Sequence, residues 1–257
     1  MYSFKESLKH TFLYEIVKQH RVRKLAQQWT RHDQEMLDFY SQFVSPNDIC
    51  FDVGANIGNR TKIFLQLGAN VVAVEPQIEC VKLLQVLYGK TGRLTIIPKV
   101  LGAVEGQAEL MVSNANTISS LSREWIEAVR SSGRFSGYSW KQKQLVPMTT
   151  LDILFKRYGT PAFMKIDVEG FEYEVIRGMS QPVGTLSLEF VPEIIENAFK
   201  CIDYLQSLGS ILLNYSLGET MRLILNEWIT VPEMFEILAE FRGDHPLFGD
   251  VYVKFPK

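Results

Sequence analysis

The sequence has 257 residues, of which 46% are hydrophobic and 22% are charged, with 27 lysines and arginines against 29 aspartates and glutamates. This composition is typical of a folded globular protein and excludes disordered, collagen-like and disulfide-rich small proteins. The formal net charge of −2 provides no long-range field that would attract nucleic acid, so we expect no nucleic-acid partner.

Cysteine and histidine spacing argues against a metal centre or disulfides. The three cysteines are far apart, and the four histidines do not occur at metal-ligand spacing. They are Cys50, Cys80, Cys201, His10, His20, His32 and His245. The first residues lack the uncharged core of a signal peptide, and no stretch reaches the roughly 18 apolar residues that span a bilayer. We therefore expect a cytoplasmic protein without a transmembrane segment.

Residues 1–45 carry apolar side chains near helical spacing, with lysines and arginines between them. They predict an N-terminal helical extension that precedes a main domain over residues 46–257. The extension would pack on the main domain or join two copies in a homo-oligomer. A basic amphipathic segment is also typical of helices that lie on a membrane surface or close over a substrate.

From Asp48 onward, short apolar runs alternate with helical patterns, which predicts an α/β fold with a parallel sheet between two helical layers. The predicted strands cover 49–53, 70–74, 94–100, 108–112, 145–148, 162–166, 185–189, 210–215 and 250–255. Helices are predicted to end near residues 67 and 88 and to cover about 125–129, 151–158, 171–177 and 193–208.

The connection over residues 113–143 is long and rich in Ser, Asn and Gly. A connection of this length inside a compact domain is usually functional or mobile. Its polar and ring-bearing side chains suit a substrate loop for a glycan, and they equally suit a solvated loop. These side chains are Asn114, Asn116, Trp125, Arg130, Arg134, Tyr138 and Trp140.

The strongest local signal is FDVGANIGNRT, residues 51–61, between a predicted buried strand and a helix. Gly54 and Gly58 let the backbone approach a ligand, and the helix start offers unpaired N–H groups. Asp52 would repel a pyrophosphate but suits a ligand that carries a cationic amine or sulfonium. Alternatively, Asp52 only caps the helix. The spacing is not the dinucleotide motif G-x-G-x-x-G.

Glu75 ends the second predicted strand, 23 residues after Asp52. Doubly wound folds place at this point the carboxylate that accepts hydrogen bonds from a ribose diol. Asp52 and Glu75 would then bracket a nucleoside. The alternative is that Glu75 is a solvated strand end.

The motif FMKIDVEGFEYEVIRG, residues 163–178, places Lys165 and Asp167 on one face of a predicted buried strand. Ionisable groups in such a strand are costly unless they are paired or reach the carboxyl edge of the sheet, where ligands bind. Glu169 follows in the turn, and Glu189 ends the next predicted strand. A structural ion pair between Lys165 and Asp167 is the alternative.

Three acids would meet at this edge if the two strands are neighbours: Asp167, Glu169 and Glu189. Such proximity would raise at least one carboxyl pKa or bind a hard divalent cation. Because carboxylates at strand ends are common, we assign no metal ligand and keep a divalent cation as the alternative.

Together these motifs resemble the FkbM family of S-adenosylmethionine-dependent methyltransferases. The matching pieces lie between about residues 49 and 190 and are FDVGANIGNRT, VVAVEP, the LGAVEGQAEL hairpin, VPMTTLDIL, MKIDVEGFEYEVIRG and SLEF. The MKIDVEGFEYEVIRG motif is the most specific, whereas the glycine turn alone points only to the wider methyltransferase superfamily.

The resemblance implies a Rossmann-like, doubly wound sheet of about seven mostly parallel strands, the class I methyltransferase fold, with the last strand antiparallel. It also implies S-adenosyl-L-methionine as methyl donor and a hydroxyl of a sugar, glycan or natural product as acceptor. By position, the cofactor-binding residues are Asp52, Gly54, Ala55, Asn56, Gly58, Glu75 and Pro76. The acidic strand-end motif falls on Asp167 and Glu169, with Lys165 beside them.

We predict that Asp167 removes the acceptor proton and that Lys165 orients it or balances its charge, with Glu169 or Glu189 as the alternative base. The competing hypotheses are a protein or other non-sugar acceptor, an NAD-dependent oxidoreductase, and a non-catalytic module. The oxidoreductase is disfavoured because the sequence lacks G-x-G-x-x-G.

Overall fold

The computed structural model describes residues 28–243 and 247–256. The helices are α1 Arg31–Tyr40, α2 Asn59–Gln66, α3 Ile78–Tyr88, α4 Arg123–Ser132, α5 Leu151–Tyr158, α6 Glu172–Ile176, α7 Glu196–Leu208 and α8 Val231–Ala239. The strands are β1 Ile49–Val53, β2 Asn70–Val74, β3 Leu94–Ile97, β4 Val100–Leu101, β5 Gly106–Val112, β6 Gln142–Thr149, β7 Phe163–Ile166, β8 Thr185–Phe190, β9 Leu212–Leu217 and β10 Gly249–Lys254.

Seven strands form one sheet in the order β3-β2-β1-β7-β8-β10-β9. The pairs from β3 to β8 are parallel, and β10 runs antiparallel to both of its neighbours. The strand order reverses at β1, so the carboxyl ends of β1 and β7 lie on either side of a topological switch point. This arrangement confirms the predicted doubly wound sheet and its antiparallel last strand.

Two apolar layers cover the sheet. One side packs against α5, α6, α7 and α8. The other side is covered by α1 and α2, whose aromatic residues Phe39, Tyr40 and Phe64 meet Phe163 of β7. The described part of the N-terminal extension is therefore packed on the sheet.

Part of the predicted extension lies outside the described residues, since residues 1–27 are not described. The domain boundary at residue 45 and self-association through the first helices remain predictions. His10, His20 and His245 also fall outside the described residues. No helix among residues 28–243 and 247–256 has the length and apolar character that a membrane span requires.

Two predictions around residues 94–112 are wrong. The strand expected over 94–100 is split, because Pro98 lies between β3 of the large sheet and β4 of a second, three-stranded sheet. Proline has no N–H to continue the ladder. The LGAVEGQAEL segment does not form a hairpin: β4 and β5 do not pair with each other but flank β6.

Helix α8 was not predicted, although the sequence carries its start signal. Thr230 and Glu233 form a capping box, and Pro232 occupies the first turn. This helix packs on β9 and α7 and so completes one helical layer.

Candidate active site

Two adjoining clefts open at the carboxyl edge of the sheet. The first, of about 550 Å³, lies beyond β1 and β2 and is lined by Glu75, Pro76, Gln77, Lys99, Val100, Leu101 and their neighbours. The second, which we call the acidic cleft, has about 840 Å³ and is lined by Asp52, Arg60, Lys165, Glu189, Glu219 and their neighbours. The clefts meet at Gly54, Asn56, Thr117, Asp167 and Glu169, which line both.

The glycine turn brings β1 against the end of β7. Gly54 has a φ of +83°, and a Cβ there would lie 1.8 Å from the carbonyl oxygen of Asp167, so only glycine fits. Ala55 and Asn56 line the acidic cleft. Gly58 has a φ of +90° and faces Leu84 of α3. It lines neither cleft, and its missing side chain lets α2 start close to α3; cofactor binding by Gly58 stays a prediction.

Asp52 lies almost fully buried at the base of the acidic cleft. Its Oδ2 accepts a 2.5 Å hydrogen bond from the Thr61 hydroxyl. Burial raises the pKa of this carboxyl, although the hydrogen bond from Thr61 opposes the shift. The residue at the start of α2 is Gly58 and has no side-chain cap, so Asp52 does not serve as the cap of that helix.

Glu75 follows β2 and has only 2% of its surface exposed. Its Oε2 accepts the backbone N–H of Asn56 at 2.9 Å, and its Oε1 accepts that of Gln77 at 2.7 Å. Burial raises the pKa of Glu75 to about 7 despite these two hydrogen bonds. Glu75 is therefore a fixed acceptor in the wall of the first cleft and not a solvated strand end.

Lys165 is buried between two carboxylates. Its Nζ lies 3.2 Å from Asp167 Oδ2 and 2.8 Å from Asp250 Oδ1. Burial alone would lower the pKa of Lys165, but Asp167 and Asp250 outweigh it and raise the pKa well above the usual range. The predicted Lys165–Asp167 pair is thus present, and Asp167 keeps 36% of its side chain exposed to the clefts.

Asp167, Glu169 and Glu189 converge as expected for neighbouring strands β7 and β8. Each offers a carboxylate oxygen within 4.8 Å of the others. Burial, and then the carboxylate of Asp167, raise the pKa of Glu169 and of Glu189 well above the usual range. These two side chains therefore tend to hold protons, whereas Asp167 has the ammonium of Lys165 beside it.

The 113–143 connection divides between the cleft and the core. Asn116 and Thr117 line the first cleft. Trp125 is fully buried, and Trp140 donates to the carbonyl of Ile118 at 2.6 Å. Arg134 forms an ion pair with Glu193 at 2.7 Å. The solvated-loop interpretation therefore fails for these three side chains, which stabilise the connection.

Sequence reasoning missed several residues in or beside the acidic cleft. Asp250 begins an antiparallel strand, so it reaches the same edge as the ends of β7 and β8 and pairs in register with Glu189. Its charge in the alternating run DVYVKF was an available signal. Arg60 donates to the Tyr40 hydroxyl and to Glu219. Glu219 and Thr117 follow no pattern in the sequence that marks them.

A family model described as the methyltransferase FkbM domain matches residues 52–212, more than half of the 257 residues. The chain belongs to the FkbM methyltransferase family. The match spans the glycine turn, Glu75 and the three converging acids. Among curated proteins, none matches the sequence.

Solved structures with a similar fold include three methyltransferases. The precorrin-6y C5,15-methyltransferase of Geobacter metallireducens is 10% identical, with a TM-score of 0.45 over 90% of this chain and 92% of that chain. A SAM-dependent O-methyltransferase of Thermotoga maritima is 13% identical, with a TM-score of 0.41 over 86% of this chain and 65% of that chain. An rRNA methylase of Streptococcus thermophilus is 12% identical, with a TM-score of 0.42 over 89% of this chain and 99% of that chain.

Proposed function

We propose that this family member transfers the methyl group of S-adenosyl-L-methionine to a hydroxyl group of a sugar, glycan or natural product. The observation that carries the proposal is the position of Asp167, a partly exposed carboxylate that lines both clefts. A donor whose nucleoside lies in the first cleft and an acceptor in the acidic cleft would meet beside it.

The nucleoside of the donor fits the first cleft. Glu75 retains lone pairs beyond those used by the two backbone N–H groups and is placed to accept from a ribose diol. Pro76, Val100 and Leu101 provide apolar walls for a base. The methionine part would then run past Gly54, Ala55 and Asn56 toward Asp52, whose carboxylate suits a cationic amine or sulfonium.

Asp167 is the proposed general base. The acceptor oxygen attacks the methyl carbon, the carbon–sulfur bond breaks with its electrons on sulfur, and the hydroxyl proton moves to Asp167. Lys165 forms an ion pair with Asp167 and fixes its orientation through the 3.2 Å contact. Glu169 and Glu189 are poorer bases, because their raised pKa values favour the protonated form.

The charges of the acidic cleft favour a neutral or cationic acceptor. Five acidic and two basic side chains line it: Asp52, Asp167, Glu169, Glu189, Glu219, Arg60 and Lys165. Glu169 and Glu189 tend to hold protons, so the three other acids and the two bases give the cleft no excess of positive charge to bind the phosphates of a nucleic acid. A polyhydroxyl compound fits better, and a protein side chain is the alternative acceptor. Membership in a methyltransferase family favours the methyl donor over NAD.

A divalent cation would find oxygen ligands at Asp167, Glu169 and Glu189. The ammonium of Lys165, 3.2 Å from Asp167, already supplies a positive charge at this point and would repel the ion. We therefore propose a reaction that needs no metal. Dialysis against EDTA followed by Mg²⁺ or Mn²⁺ titration tests this, and activity that depends on added metal would contradict it.

The decisive experiment is to incubate the protein with methyl-labelled S-adenosylmethionine and a panel of saccharides and cell extracts. Label in an O-methyl ether of a neutral or amino sugar is the expected outcome. Label in protein or RNA would show that the proposed sugar, glycan or natural-product acceptor is wrong. Failure of calorimetry to detect binding of S-adenosylhomocysteine at millimolar concentration would refute the proposed function itself.

A further inference from the structure

Glu172 is a buried acid. No cationic side chain among the described residues forms an ion pair with it. It begins α6 and has 2% of its surface exposed. Its Oε1 accepts the backbone N–H groups of Val168 and Gly170, both at 3.1 Å. Its Oε2 accepts from Asn197 Nδ2 of α7 at 2.9 Å. The carboxylate therefore links the turn after β7 to a helix of the next βα unit.

The turn over residues 167–170 has a backbone that needs such support. Glu169 has a φ of +55°, which is uncommon for a residue with a side chain, and Gly170 has a φ of +87°. On the other side of the turn, the Ser120 hydroxyl donates to the carbonyl of Glu169 at 2.6 Å. A Cβ on Gly170 would collide with Trp125. The turn is thus held from two sides.

This turn carries Asp167 and Glu169, the two acids at which the clefts meet. Val168 also lines the first cleft. Hydrogen bonds to the N–H groups of Val168 and Gly170 fix the peptide that follows Asp167 and the peptide that follows Glu169, and so restrain the backbone that carries both side chains. A small displacement of the base slows the reaction strongly, because proton removal requires contact with the reacting hydroxyl.

We propose that Glu172 and Asn197 are positioning residues that hold the 167–170 turn in the conformation needed for donor binding and methyl transfer. The proposal rests on the proposed function, because it assigns importance to a turn through the base that the turn carries. If Glu172 only interacted with the dipole of α6, it would not need to accept hydrogen bonds from backbone N–H groups before α6 or from a side chain of α7.

Two substitutions of Glu172 separate positioning from charge. Glu172→Leu removes both acceptor oxygens, and we expect about tenfold weaker binding of S-adenosylhomocysteine in calorimetry. Glu172→Gln keeps an oxygen for the two N–H groups, and the Asn197 amide can turn to accept from the new amide. We expect binding within about threefold of the wild type for this variant.

Hydrogen–deuterium exchange supplies a readout that does not need the ligand. Glu172→Leu should speed exchange in the peptide that contains Val168 and Gly170, and Glu172→Gln should not. The matched control is Tyr204→Phe, which removes the hydrogen bond from α7 to the carbonyl of Met179, 2.9 Å long. It should change neither exchange in the turn nor binding.

Asn197→Leu keeps the proposal testable if Glu172→Leu does not fold. It should weaken binding about threefold and speed exchange in the turn, with no further effect when added to Glu172→Leu. Unchanged binding and exchange in Asn197→Leu, or in a folded Glu172→Leu, would overturn the proposal. If the wild type does not bind S-adenosylhomocysteine, the proposed function fails, and exchange still decides the role of Glu172.

Discussion

The acids of the two clefts differ in how their oxygens are satisfied. Glu75 has one backbone N–H on each oxygen, at 2.7 and 2.9 Å, and is fixed before any ligand arrives. Glu169 and Glu189 accept no side-chain hydrogen bond within residues 28–243 and 247–256, and they share their site with Asp167. Glu75 is therefore preorganised before a ligand binds, whereas Glu169 and Glu189 at the acidic cleft leave oxygens available to a ligand.

The largest effect that would test this contrast is at Asp167. We expect Asp167→Asn to reduce methyl transfer by about 10²- to 10⁴-fold, because the amide cannot take the hydroxyl proton. Binding of S-adenosylhomocysteine should stay within severalfold, since the change is isosteric. The comparison requires both single-turnover rates and calorimetry on the same preparation.

The control for Asp167→Asn is Asp203→Asn on the exposed surface of α7, which should leave the rate unchanged. Retained methyl transfer in Asp167→Asn would remove Asp167 from the mechanism. Glu169→Gln and Glu189→Gln would then be the variants to examine, because these side chains lie in the same cluster.

The next largest effect is expected in the first cleft. Glu75→Ala removes a charged acceptor from the ribose and frees the N–H groups of Asn56 and Gln77. We expect about 10- to 100-fold weaker binding of S-adenosylhomocysteine, with a smaller loss of rate at saturating donor. Glu79→Ala is the matched control, because Glu79 is exposed and, among the residues that the structure describes, forms an ion pair only with Lys82 in α3. Equal affinity in the two variants would show that Glu75 does not bind the donor.

Most of the sheet was predictable from local patterns. Buried strands such as β1 and β2 are short, mostly apolar runs followed by glycine or an acid, and their observed bounds match the predicted ones. The failures occur where pairing is not local. The sequence around Val100 does not specify that β4 pairs with β6 in parallel, since that choice depends on residues more than forty positions away.

The site was predictable where a motif fixes both residue type and position, as at Gly54, Glu75 and Asp167. It was not predictable where distant segments meet. Asp250 lies 85 positions from Lys165 and is nevertheless its nearest carboxylate, at 2.8 Å. Only the antiparallel direction of β10 brings the start of that strand to the edge of the sheet where β7 and β8 end.

Asp250 therefore offers a third, intermediate test. Asp250→Asn would leave Lys165 with Asp167 as its one carboxylate partner among the described residues. The ammonium would then hold the oxygens of Asp167 more tightly and compete with the acceptor hydroxyl for them. We expect about tenfold slower methyl transfer and a loss of folding stability of about 1–3 kcal/mol. Urea unfolding and pre-steady-state rates measure the two effects. A stability loss without a change in rate would limit Asp250 to a structural role.

The smallest expected effect is the pH dependence of donor binding, and it separates Glu75 from the acidic cluster. Burial raises the pKa of Glu75 from its ordinary value of 4.5 to about 7. The folded protein therefore keeps a proton in this range that the unfolded chain has lost. The contribution of Glu75 to folding stability then falls as pH rises from about 4.5 to about 7 in the unliganded protein.

Binding should show the opposite trend. The carboxylate form accepts hydrogen bonds from the ribose more strongly, so affinity for S-adenosylhomocysteine should rise by up to about tenfold between pH 6 and pH 8. Glu75→Gln should bind more weakly at pH 8 and lose this pH dependence. Calorimetry at three pH values in buffers of different ionisation enthalpy measures both the affinity and the proton released. If the wild-type pH profile persists in Glu75→Gln, the titrating group belongs to the cluster of Asp167, Glu169 and Glu189. The pH dependence would then not distinguish Glu75 from that cluster.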